Sequence, residues 1–230
     1  MDRILSQHAE PASDSIQERV RRALEAEIIA GIRPPGSAID EKALAQDFKA
    51  SRTPVREALL LLAGQGLVRI VPRSGIYVYK AGAAELVAAL EALVELETVL
   101  ARLAAQRITG PLGEAMERAL EGTRECARAS DREGYERANA TLHELIYRTA
   151  GNAILVEQVR QVRRKLAAYR QRGFDSPGRL AVSAREHADI VEAIRQGDGP
   201  RAGEAMRRHI SAGGEALTAL ILAADAAAAD

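Results

Sequence analysis

Three of the four histidines in this 230-residue chain, His143, His187 and His209, fall in separate stretches of helical periodicity, each on the apolar side of its stretch. His143 shares a face with Asn139 and Ile146, His187 with Ile190, Val191 and Ile194, and His209 lies beside Met206 and Ala205. A buried imidazole needs a polar partner, and holding one divalent ion in common would satisfy all three. The competing reading is three separate core histidines, each hydrogen-bonded on its own. Hydrolysis at such an ion is a further alternative, because His143-Glu144 begins like the zinc-protease pattern HExxH. Tyr147 stands where that motif needs its second histidine, and Glu144 points about 100° around the helix from His143. No base is placed for catalysis, so no enzyme is expected.

A second constellation lies at Ser51-Arg52-Thr53-Pro54-Val55-Arg56. Ser51 suits an N-cap, and Pro54 in the first turn loses no intrahelical hydrogen bond. Such a helix start presents hydroxyl, guanidinium and free backbone N–H groups together, which phosphates and guanine edges accept from. Arg56 follows Arg52 on the same face, while Val55, Leu59 and Leu62 turn toward a core. Upstream, Asp40 caps a shorter helix whose inner face is Ala43, Leu44 and Phe48, and a sharp turn at Lys49-Ala50 joins the two. Gly64 and Gly66 end the second helix. Leu67–Val71 and Ile76–Tyr79 alternate as paired strands around Pro72-Arg73-Ser74-Gly75, so Arg73 at the tip can reach a groove. Helix, turn, helix and hairpin in this order make a winged helix-turn-helix.

A bracing helix precedes this module, with a Ser15/Glu18 capping box, the stripe Ile16, Val20, Leu24 and Ile28, and an end at Gly31. After a linker near Lys80–Ala84 the chain turns alanine- and leucine-rich with no strand pattern. Helices are predicted at about 83–108, 112–129, 131–150, 152–172, 183–196 and 199–223. Gly110-Pro111, a Ser130/Glu133 box, Gly151-Asn152, a Ser183/Glu186 box and Gly197-Asp198-Gly199-Pro200 punctuate them. The fold class is therefore mainly α, a winged helix-turn-helix followed by an all-helical bundle. The expected domains are 13–80 for DNA binding and 84–223 for sensing and dimerisation. Residues 1–12 are expected to be partly disordered, and the AADAAAAD tail to fray.

PPGSAIDEKALAQDF, SRTPVREALLLL and GLVRIVPRSGIYV resemble the GntR family of bacterial transcription regulators. The resemblance implies that Lys42, Arg52 and Arg56 contact DNA, with Ser51, Thr53 and the tip from Arg73 to Gly75 as accessory contacts. It departs from the family at Lys49, where a glycine is usual and a left-handed backbone would cost a lysine more. NATLHELIYRTAGNAIL, AREHADIVEAIRQGD and MRRHI resemble the FCD ligand-sensing domain of one GntR subfamily. That resemblance implies a metal site of Asn139, His143, His187 and His209, holding zinc, nickel or a similar divalent ion. With a neutral amide at 139 the ion's charge stays uncompensated, which favours an anionic effector such as an organic acid. Leu93 stands where many members carry a carboxylate-clamping arginine. Arg102, Arg148, Arg160, Arg163 and Arg164 are expected to be solvated surface charges.

Lysines and arginines balance acidic residues at 32 each, but 8 − 4 gives +4 over residues 33–80 and 20 − 22 gives −2 over 81–230. Placement of individual cations must therefore outweigh bulk attraction, and binding to double-stranded DNA should weaken with salt. The single cysteine, Cys126, allows no intrachain disulfide, suits a reducing compartment and is expected to be inert core. With no apolar span or secretion signal, the expectation is a cytoplasmic, ligand-responsive repressor without membrane contact, acting as a homodimer on a near-palindromic operator. A helical scaffold with an idle DNA-binding module remains an alternative.

Overall fold

The computed structural model describes residues 14–170, 174 and 176–227. Residues 1–12 and the last three of the alanine-rich tail, on which disorder and fraying are expected, lie outside them. The chain divides into two compact units after Lys80.

The first unit begins with α1 (Ile16–Ile29), which Ser15 caps by accepting from the Glu18 N–H at 3.2 Å. The return half of the box is replaced by salt bridges, because the Glu18 carboxylate takes Arg21 and Arg22 at 2.7 Å. Val20, Leu24 and Ile28 are buried, but Ile16, in the first turn, is exposed. β1 (Ala38–Ile39) leads into α2 (Glu41–Asp47), where Asp40 accepts from the N–H groups of Lys42 and Ala43 at 2.7 and 3.1 Å. The inner residues of α2 are Leu44 and Ala45, with Phe48 half-buried, whereas Ala43 faces outward.

Lys49 takes φ +50 in the turn before α3 (Arg52–Gly64), so this chain places a lysine in the left-handed conformation that favours glycine. Val55, Ala58, Leu59 and Leu62 are wholly buried against α1 and α2. β2 (Val68–Val71) and β3 (Gly75–Val78) pair antiparallel, with Val68 opposite Val78 and Val71 opposite Gly75. The sheet has three strands rather than the expected two. Ala38 and Ile39 pair with Tyr77 and Ile76, giving the order β1-β3-β2.

The described residues of the second unit form α-helices joined by short turns: α4 (Ala83–Arg107), α5 (Gly110–Ala129), α6 (Arg132–Ala150), α7 (Ala153–Arg170), α8 (Arg179–Arg195) and α9 (Gly199–Ala227). α4 packs against α6, α7, α8 and α9, and α5 against α6 and α8. Its core runs from Leu86, Leu90, Leu93 and Leu100 on α4 to Ile190, Val191 and Ile194 on α8. Two expected capping boxes are replaced. Ser130 is the left-handed end of α5, and Asp131 caps α6 by accepting from the Gly134 N–H at 2.9 Å. Ser183 is a buried interior residue, because α8 starts one turn earlier at Arg179. Cys126 is half-buried rather than core.

Candidate DNA interface and metal centre

In the first unit Ser51, Arg52, Thr53 and Arg56 are all exposed at the start of α3, where the backbone N–H groups of Ser51, Arg52 and Thr53 lack intrahelical acceptors and Pro54 has none to satisfy. Ser51 occupies the N-cap without a side-chain cap bond, which leaves its hydroxyl available to a phosphate. The Arg56 guanidinium lies 3.6 Å from Glu41, and its side chain is 67% exposed. This loose surface pair is worth little and can be exchanged for a phosphate. Lys42 is exposed in the first turn of α2, next to Asp40. The two backbone N–H groups that Asp40 accepts hold its carboxyl below the usual range.

The wing tip is braced from within. The Tyr77 hydroxyl donates to the Ser74 carbonyl at 3.1 Å and lies 3.1 Å from the Ser74 hydroxyl. Gly75 adopts φ +139, a backbone conformation that favours glycine, although a Cβ there would meet the Tyr77 ring only at ordinary contact distances of 3.4–3.6 Å. Arg73, at φ +64, is left exposed at the apex.

In the second unit the bundle brings His143 (α6), His187 (α8) and His209 (α9) together at 1%, 0% and 6% exposure. Ring centroids are 4.5–5.6 Å apart, and one ligand nitrogen of each ring lies within 4.8 Å of the others. Tetrahedral zinc with nitrogen bonds of about 2.0–2.1 Å places nitrogens about 3.3 Å apart, so the rings would have to close in somewhat on an ion. Asn139 is buried one turn before His143 on the same face of α6.

The outer nitrogens have partners. His143 Nδ1 lies 3.2 Å from Glu97 on α4, His187 Nδ1 3.4 Å from the Tyr135 hydroxyl, and His209 Nδ1 2.8 Å from Glu186. Nε2 of both His143 and His187 is buried without a hydrogen-bond partner. Buried polar atoms are rarely left so, and two imidazole nitrogens aimed into one centre fit a divalent ion. Separate hydrogen bonding of each histidine leaves these two atoms unexplained.

The electrostatics keep the rings neutral. Burial, reinforced by the Arg163 charge, lowers His143 to about 3, while burial also lowers His187 and His209. Burial would raise Glu97, but Arg163 and the His143 and Tyr147 hydrogen bonds outweigh it and hold the carboxyl well below its ordinary range. Burial likewise opposes ionisation of Glu186, yet bonds from His209 and Arg179 bring it down to about 2. Burial raises Tyr135 to about 12, so its hydroxyl stays protonated.

Several of these residues were not singled out by the sequence. Glu97 is wholly buried within the stripe Leu86, Leu90, Leu93, Leu100, and an acidic residue in such a stripe is its visible signal. Arg163 is not a solvated surface charge. Its side chain is 19% exposed, its Nε donates to Glu97 at 2.7 Å, and its guanidinium lies over the Tyr147 ring at 5.6 Å. Arg102, Arg148 and Arg160 are exposed, and Arg164 is half-buried. Leu93 is core. Glu144 faces solvent in a two-point pair with Arg160 at 3.1 and 2.5 Å, turned away from the histidines and unfit as a catalytic base.

Comparison with known proteins matches residues 16–78 to the bacterial regulatory proteins of the gntR family and residues 88–212 to the FCD domain. The HTH-type transcriptional repressor RspR of Escherichia coli K12 is 27% identical over 195 residues, covering 85% of this chain and 86% of the relative. A protein named as the probable D-xylose utilization operon transcriptional repressor of Paenarthrobacter nicotinovorans is 30% identical over 207 residues, covering 86% and 87%. Among solved structures, Escherichia coli McbR/YncC superposes with a TM-score of 0.74 at 22% identity, over 86% of this chain and 95% of that one. The metal-free FCD domain of TM0439 gives 0.52 at 21% identity, over 63% and 99%. These two likenesses concern the fold. A winged helix-turn-helix with an exposed basic reading helix, joined to a helical bundle and matched by relatives that regulate transcription, makes this chain a DNA-binding transcription regulator of the GntR family with an FCD domain.

Proposed function

We propose that this regulator is a cytoplasmic, effector-responsive repressor that binds a near-palindromic operator as a homodimer and senses an organic acid at a divalent metal site. The observation that carries the metal reading is the pair of buried, partnerless Nε2 atoms on His143 and His187 within the three-histidine cluster. Asn139, His143, His187 and His209 would hold the ion, which when bound supplies a Lewis-acidic coordination point for an anion.

Charge supports an anionic effector. Asn139 and the three rings are neutral, and each nearby carboxylate is matched by an arginine, Glu97 by Arg163 and Glu186 by Arg179 at 3.0 Å. The ion's +2 is thus left over for a ligand to compensate. On the DNA side, Arg52 and Arg56 read or grip, Lys42 and Ser51 take phosphates, and Thr53 with the Arg73–Gly75 tip completes the contact. One reading helix spans few base pairs, so two copies on a symmetric site supply the remaining affinity and specificity.

The test is elemental analysis of the purified chain, followed by operator binding with and without chelator and with His187→Ala. One bound ion per chain is expected, with the effector response lost and basal operator binding kept in both treatments. Effector titrations unchanged by either would overturn the metal-centred reading.

A further inference from the structure

His143 Nδ1 has two neighbours that cannot both be hydrogen-bonded to it. Glu97 Oε2 is 3.2 Å away and can only accept, whereas Arg163 Nη2 is 2.9 Å away and can only donate. The ring is neutral and buried, so a single proton decides: on Nδ1 it serves Glu97, and on Nε2 it leaves Nδ1 to accept from Arg163.

Arg163 is also placed to transmit that choice. It lies on α7, and six residues on, about 9 Å along the axis, the Tyr169 hydroxyl accepts from the backbone N–H of Ala81 at 2.8 Å. Ala81 is the first residue after the DNA-binding unit, which ends at Lys80. Lys165, between the two, faces Glu85 at 3.8 Å. One helix thus touches the histidine cluster and the start of the linker.

We infer that Arg163 is the residue that reads metal occupancy, by exchanging places with Glu97 as the partner of His143 Nδ1, and that α7 carries the change to Ala81. The inference rests on the metal reading above. His143 can give its Nε2 lone pair to a divalent ion only as the Nδ1–H tautomer. In that form Nδ1 donates to Glu97 and confronts the Arg163 N–H with another N–H. Arg163 keeps its pairing with Glu97 Oε1, which both Nε and Nη2 make, but draws Nη2 away from Nδ1, and α7 adjusts with it. Without the ion, the Nε2–H tautomer accepts from Arg163 and α7 returns. Arg163 is a positioning residue here: it competes with the ion for the state of His143.

The experiment uses the full-length protein and zinc alone, comparing wild type with Arg163→Met. Three readouts are taken: zinc affinity by competition with a chromophoric chelator, the imidazole 15N shifts of His143, and hydrogen exchange at the Ala81 amide. Wild type should pass from Nε2–H to Nδ1–H at His143 on zinc addition, with altered exchange at Ala81. Arg163→Met should already hold Nδ1–H without zinc, bind zinc about tenfold tighter, and show Ala81 exchange that no longer responds. Because Met leaves Glu97 without its counter-ion, Arg163→Lys is the companion. It keeps the charge but lacks the planar fork that spans Glu97 and His143, so tautomer and affinity should shift in the same direction. Wild-type affinity and tautomer in both variants would overturn the inference while leaving the metal site standing. Ala81 exchange that still responds to zinc in Arg163→Met would overturn the route through α7. Absence of zinc binding in wild type would instead remove the metal reading itself.

Discussion

Glu186 accepts from His209 Nδ1 at 2.8 Å, although its neighbour in the chain is His187, a different member of the cluster. One short stretch of α8 therefore supplies an imidazole to the centre and orients the imidazole of α9, with Arg179 holding the carboxylate from two turns below through two 3.0 Å bonds. Carboxylates that take the outer N–H of a ligating histidine fix its tautomer and raise its basicity.

Glu186→Gln should accordingly weaken zinc binding about 10–100-fold, measured by chelator competition. Glu144→Gln, on the solvent face of α6, should leave it unaltered. Equal affinities in the two variants would show that Glu186 has no hold on the ion.

The metal-free bundle should be acid-sensitive in a defined window. His143 is lowered from 6.5 to about 3 in the folded chain, chiefly by burial, with His187 and His209 lowered for the same reason. Between those values the unfolded chain binds the proton and the folded chain does not, so stability is whole above the unfolded value and falls as the pH drops below it. His143 alone accounts for about 2 kcal/mol by pH 5. Glu97 and Glu186, whose folded values are depressed, add a loss only below the ordinary carboxylate range. Thermal melts of chelator-treated protein should drop by several degrees between pH 7 and pH 5, and a flat profile would contradict the neutral cluster.

Arg52→Ala should cost about 1–3 kcal/mol on the specific operator if the guanidinium reads a base edge in two-point fashion. Lys42→Ala should weaken all sequences alike and reduce the salt slope by about one. Fluorescence anisotropy on matched and scrambled duplexes separates the two. A uniform loss for Arg52→Ala would make it a phosphate contact.

Lys49→Gly should stabilise the DNA-binding unit by about 0.5–1 kcal/mol, because glycine relieves a left-handed backbone at a smaller entropic cost. A denaturant midpoint that falls would refute the strain at φ +50.

The reading head was legible because its determinants are local. Asp40 caps within three residues, and Val55, Leu59 and Leu62 recur at helical spacing. β1 escaped because two residues, Ala38 and Ile39, become a strand only by pairing with Tyr77 and Ile76, some forty positions away. In the bundle, the inward turn of His143, His187 and His209 followed from periodicity. What lies behind the rings did not. Arg163 looks like any arginine on a helix surface until α7 lies over Glu97, and Glu186 belongs to an apparent capping box that dissolves once α8 begins at Arg179. Caps and stripes are written in neighbouring letters, whereas a relay between helices exists only after they meet.

The cluster draws one imidazole each from α6, α8 and α9, so no fragment short of those three helices can grip an ion as the whole bundle would. Ion capture would then require the completed bundle, and its free energy would add to the stability the bundle already has. Under the proposed metal-centred sensing, a half-finished or damaged copy would be blind to its signal: it would fail to respond instead of responding falsely.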